Sequence, residues 1–200
     1  VEQAGIERPT EESAKDSYTY YPHTSAVPEA VAVNIRGKSF KIVSNVEITD
    51  ANASGVIFAH GSRFGGHSLF IKDHKLYYVY NFLGISEQQL VSGILKPGKY
   101  TVGMEFNKEK AGDHGESIGS AKLYVNEKEV ATGSMRAQVG KFTLVGDGLC
   151  VGYDSGDNVS KLYKSPGEFK GGQISFVKVS TGKEQYSDLE KDAQRMFSTE

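Results

Sequence analysis

The chain has no tryptophan, one cysteine and five prolines in 200 residues, and each scarcity removes a class of explanation. Cys150 has no second cysteine to pair with, so no internal disulfide can form and the redox compartment stays open. It stands between Leu149 and Val151 in a strand-like run, where a small buried hydrophobe is expected rather than a nucleophile. No apolar run approaches membrane-spanning length, and no basic start followed by an apolar centre marks a secretory signal at Val1. A formal charge of −2, with acids and bases interspersed, makes no electrostatic case for nucleic acid or an anionic membrane as partner. No Gly-x-Ser-x-Gly elbow and no phosphate-binding glycine loop with lysine occurs. The absence of Trp also removes the largest side chain on which a sugar could stack.

What is present is 23 glycines with ten Phe and eleven Tyr, the mixture of a turn-rich, aromatic-cored β protein. The stretch from Gly55 to Gly84 carries the strongest pattern. Val56 to Phe58 reads as a short buried strand, and Ser68 to Ile71 and Leu76 to Phe82 as the arms of a hairpin turned by Lys72 to Lys75. Tyr78, Tyr80 and Phe82 fall on one face of the second arm and Tyr77, Val79 and Asn81 on the other, so the hairpin is expected in the middle of a sheet.

Residues 1–30 are polar and irregular and read as a linker or wrapping segment, with residues 31–200 as the domain proper. Phe40 to Ile48 and Tyr100 to Phe106 alternate with period two. Residues 107–119 read as an exposed loop, 120–134 as a hairpin turned at Asn126 to Lys128, and Phe142–Val145 with Leu149–Tyr153 as a third pair. A polar loop covers 154–172 and a last strand 173–180, with Ile174 and Phe176 expected on one face and Val177 and Val179 on the other. Ser187 followed by Glu190 is a capping-box pattern, and Leu189, Ala193, Met196 and Phe197 form the apolar stripe of a helix over 188–197. About ten short strands and one terminal helix make an all-β sandwich, of jelly-roll or immunoglobulin-like type.

Four blocks in order, YYPHTSAVPE at 20–29, AHGSRFGGHSLFIKDHKLYYVYNFLG at 59–84, GKFTLVGDGLCVGYDSGD at 140–157 and YSDLEKDAQRMF at 186–197, resemble the C-terminal region of long bacterial arylsulfatases. The resemblance implies a jelly-roll sandwich of concanavalin or laminin-G type. It also implies an accessory domain packed on a sulfatase catalytic domain upstream in the same polypeptide, in a bacterial cytoplasm or periplasm. The formylglycine cofactor, made from a Cys-x-Pro-x-Arg motif, and the calcium beside it would belong to that catalytic domain. Cys150 is followed by Val-Gly-Tyr, so no catalytic residue is implied in this chain. The chain departs from the family where His23 stands for a glycine and Tyr153 for a basic residue.

The corner between the first two strands of the central stretch is the candidate contact surface: His60, Ser62, Arg63, Phe64 and His67 place a cation and an aromatic on a glycine-rich backbone. Arg63 there could meet a carboxylate of a neighbouring domain, or a sulfated or acidic glycan. His60 and His67 could meet across the corner, but His74 lies in a turn at the opposite end of a strand, so a zinc site is not expected and hydrogen bonding by His60 and His67 that shapes the corner is the simpler role. Asp154 and Asp157 offer oxygens for calcium, which the resemblance implies because laminin-G-like sandwiches often carry calcium at such loops, although an Asx-type turn is the simpler account. A glycosidase would need two carboxylates on one face, and Glu105 is the only one within its strand. A free-standing, lectin-like carbohydrate-binding module is the alternative to the accessory domain.

Overall fold

The computed structural model describes residues 16–142 and 147–199. Two antiparallel sheets stack face to face. The six-stranded sheet runs β1 (Ser17–Tyr20), β11 (Gly172–Ser180), β2 (Phe40–Ile48), β7 (Gly98–Ala111), β8 (Ser117–Val125) and β9 (Lys128–Ala137). The five-stranded sheet runs β10 (Leu149–Val151), β3 (Gly55–Ser62), β4 (Gly65–Lys72), β5 (Lys75–Phe82) and β6 (Ser86–Ile94). One helix, α1 (Tyr186–Phe197), completes the fold.

Period-two alternation decides what each strand sends inward. Phe40, Ile42 and Val46 of β2 and Val102, Met104 and Phe106 of β7 meet Phe58, Leu69, Tyr78 and Tyr80 of the opposite sheet in one core. A bulge between Val56 and Phe58 lets both Ile57 and Phe58 face that core while Val56 turns outward.

Each outer face is clothed by the chain itself. Leu189 and Ala193 of α1 pack with Val43, Phe176 and Tyr186 on the six-stranded sheet. The loop after β10 covers the five-stranded sheet, where Val159, Leu162 and Tyr163 lie over Val56, Phe70 and Val79. The central hairpin thus has apolar contacts on both faces, which explains its bulky residues at odd and even positions.

Several local expectations shift. β7 and β8 extend through most of the segment read as an exposed loop, leaving residues 112–116 between them. A bulge between Ile174 and Phe176 puts Ile174, Val177 and Val179 on the inner face and Phe176 on the outer one, reversing the expected grouping. The capping box is not made: Gln185 is the N-cap without a side-chain bond, and Glu190 instead accepts the backbone N–H of Glu127 at 2.7 Å. Residues 1–15 of the expected linker, and residues 143–146 of the expected third pair, lie outside the described residues.

Candidate functional site

The corner predicted as a contact surface is a tight hairpin end. Gly61 pairs with Gly66 and Ser62 with Gly65, so only Arg63 and Phe64 form the turn. A side chain at Gly61 or Gly66 would collide with the facing backbone, so these glycines serve strand pairing. Ser62 is buried, donating to the Phe142 carbonyl at 3.3 Å and accepting from the Phe64 N–H at 3.2 Å. His60 and His67 point into the sandwich core, 2% and 1% exposed. His67 Nδ1 lies 2.9 Å from the Tyr78 hydroxyl, whereas neither ring nitrogen of His60 has a hydrogen-bond partner among the described residues.

Arg63 and Phe64 alone of the five present their side chains to solvent, with the guanidinium over the ring at 4.7 Å. Arg63 also pairs with Asp157 at 3.2 Å, which joins the two regions singled out in the sequence. Leu83 and Ile85 are exposed beside them. Gln138 Oε1 accepts the Leu83 N–H, and Asn81 Nδ2 donates to the Arg63 carbonyl, so the two hairpin tips are fixed together.

Asp154, the other calcium candidate, is 1% exposed and organises the covering loop. Its Oδ2 accepts the Val159 N–H at 2.9 Å and the Tyr163 hydroxyl at 2.5 Å. Burial raises its carboxyl to about 6 against those two bonds. Among the described residues no three His, Cys, Asp or Glu side chains are grouped to hold a metal.

Three hollows along the described residues are large enough to take a ligand. One, of about 570 Å³, lies at the foot of α1 on the six-stranded sheet and mixes three lysines with four glutamates. Two of its acids have structural tasks: Glu105 accepts the Tyr124 hydroxyl at 2.6 Å and Glu190 the Glu127 N–H.

The other two flank a single strap, residues 167–172. Backbone bonds fix it: Ser54 and Lys170 exchange both N–H groups, Val56 N–H donates to Gly167 at 2.8 Å, and Phe169 N–H donates to Gly152 at 2.9 Å. On one side, a hollow of about 730 Å³ opens between β10 and β11, walled by Tyr153, Phe169, His23 and Gln173. Tyr153 donates to the Thr24 carbonyl at 3.0 Å, which fixes its ring. His23 has φ 63°, the left-handed conformation a glycine adopts without cost. On the other side, a cleft of about 420 Å³ is bordered by Lys72, Lys164 and Lys170, with Glu168 lining both hollows.

The aromatic hollow was missed because its residues are scattered between 22 and 174, on loops and strand ends with no shared period. The only sequence signal was that His23 and Tyr153, the two departures from the resembling family, both line it.

No family model matches the chain, and no curated protein does. Solved structures do. The Ruminococcus gnavus IT-sialidase CBM40 bound to α2,3-sialyllactose superposes with a TM-score of 0.55 at 17% identity, over 78% of this chain and 82% of its own. Mouse laminin α1 domains LG4-5 give a TM-score of 0.51 at 14% identity over 84% of this chain, which spans 40% of theirs. The binding domain of botulinum neurotoxin DC in complex with SialylT gives a TM-score of 0.54 at 12% identity, over 90% of this chain and 42% of its own. At these identities the likeness is one of architecture, and it establishes a concanavalin/laminin-G-like β-sandwich.

Proposed function

We propose that this chain is a glycan-binding module whose site is the hollow between Tyr153 and Phe169. The observation that carries the reading is the pairing of two half-buried aromatic rings with planar polar groups, His23 and Gln173, in one hollow of about 730 Å³. A sugar ring offers C–H faces to aromatic side chains and hydroxyls to such polar groups. The φ of His23 strengthens the reading, because a left-handed non-glycine residue costs about 1 kcal/mol and such costs gather at functional sites. Two of the similar sandwiches were solved with sialylated ligands, which is chemistry this fold accommodates. Isothermal titration against a panel of mono- and disaccharides tests it. Binding that falls at least tenfold in Tyr153→Ala and Gln173→Ala supports the site; a folded chain that takes up no sugar would sink the reading.

A second reading accompanies the first: the module is an accessory domain of an arylsulfatase, packed on its catalytic domain. Beyond the sequence resemblance, it is favoured by the hairpin end where Phe64, Leu83 and Ile85 stand 60%, 47% and 72% exposed on a backbone held rigid by Asn81 and Gln138. Exposed apolar clusters of this kind mark protein contacts. Hydrogen exchange of residues 63–64 and 83–85, measured in this chain alone and in a longer protein that joins it to a sulfatase catalytic domain, tests it. Protection gained only in the longer protein is the expected result, and identical exchange in both would remove packing from the account.

A further inference from the structure

We propose that the glycan taken by this site is acidic, with its sulfate or carboxylate group received by Lys164 and Lys170 across the strap from the Tyr153–Phe169 hollow. The inference rests on the glycan-binding reading and specifies its ligand class. Along the strap Phe169 faces the aromatic hollow, Lys170 borders the lysine cleft, and Glu168 lines both. Backbone bonds on both sides of residues 167–170 make the strap a fixed partition, so a ligand lying over it reaches both hollows at once.

Electrostatics then favour one kind of ligand. The cleft is lined by three lysines against a single carboxylate, Glu168, whereas the hollow beneath α1 is nearly balanced. None of the three lysines is in an ion pair among the described residues. Lys72 Nζ donates to the Leu162 carbonyl at 2.9 Å, which holds that ammonium at the cleft wall. Lys164 and Lys170 are exposed and carry no such bond to their own chain among the described residues, so their charges remain available to an oxyanion. An ammonium is a point charge with freely rotating donors and suits the tetrahedral oxygens of a sulfate ester as well as a planar carboxylate. The cleft itself is braced from behind, because Asp154 and Asn158 fix the turn carrying Leu162 and Tyr163.

The test uses a sulfated disaccharide, its uronic-acid counterpart and the neutral parent, titrated into the whole chain by calorimetry and by amide NMR. The sulfated or the carboxylated sugar should bind at least tenfold more tightly than the neutral parent, with shifts in residues 54–56 and 164–173. Which of the two binds more tightly identifies the oxyanion. Lys164→Gln/Lys170→Gln, both surface changes that leave the fold intact, should reduce that affinity to the neutral sugar's and leave neutral binding unchanged. Equal affinity for all three sugars, or a double variant as tight as the wild type, would overturn the acidic class while leaving the glycan site standing. Shifts confined to the foot of α1, or none with any sugar, would take down both.

Discussion

His60 and His67 face one another inside the sandwich, their ring centroids 6.1 Å apart. Burial depresses both imidazoles, His60 to about 4 and His67 well below its ordinary value. Each must enter the core neutral. An unfolded chain, with histidines near 6.5, binds protons that the folded one refuses.

The histidine contribution to stability should therefore be complete above about pH 6.5 and be lost as the pH falls towards 4. His60 alone accounts for on the order of 3 kcal/mol across that window. Asp154 opposes it: its raised carboxyl contributes stability below its ordinary 3.8 that is lost as the pH rises through about 6. Urea denaturation at about pH 7.5, 6, 5 and 4 separates the two in His60→Leu. That variant should match or exceed the wild type near neutral pH, since it replaces an unpartnered imidazole, and should show a shallower acid loss. An unchanged acid slope would remove His60 from the explanation.

Asp154→Ala should leave the Val159 N–H without its acceptor and the Tyr163 hydroxyl with only Ser68. A loss of about 2 kcal/mol is expected, with faster hydrogen exchange confined to the loop after β10. Exchange that rises equally in the six-stranded sheet would mean the loop and core unfold together.

His23→Gly should raise the melting temperature while weakening sugar binding. The glycine relieves a left-handed φ worth about 1 kcal/mol, less its greater freedom in the unfolded chain, and removes one wall of the aromatic hollow. A gain in both quantities would show that the imidazole does not touch the ligand.

Tyr186→Phe should be neutral or stabilising. The Tyr186 hydroxyl is buried without a hydrogen-bond partner among the described residues, while its ring stacks on Tyr124 with centroids 4.2 Å apart, a contact Phe preserves. Chemical denaturation reads the outcome, and a loss above about 1 kcal/mol would reveal a hydrogen bond the ring alone cannot replace.

The fold was legible wherever one face of a strand had to be apolar. Alternation in Tyr100 to Phe106 placed β7, and bulk on both faces of Leu76 to Phe82 correctly required a central strand. Period two failed where a bulge adds a residue: Phe176 crosses to the helix side because the ladder slips beside it. Charge was also misleading about extent. Residues 108–110 look like a loop because both side-chain faces are polar there, yet the β7–β8 ladder continues on backbone bonds that carry no side-chain signature. At the site, glycines around Arg63 suggested an adaptable loop when they were needed for close strand pairing, and two histidines that read as polar corner residues lie in the core. The lysine cleft was invisible for a different reason. Lys72 and Lys164 are remote in sequence and meet only because Asp154 folds the intervening loop back over the sheet.

Beneath α1, the Asn45 amide donates to the Ala193 carbonyl at 2.7 Å and accepts from the Thr101 hydroxyl at 2.8 Å. Apolar contact alone would let a helix slide or rotate by a turn with little loss, whereas a buried amide is satisfied in one position only. Asn45 thus works less as an adhesive than as an address: with leucine in its place the helix would stay attached, but where it sits would no longer be specified.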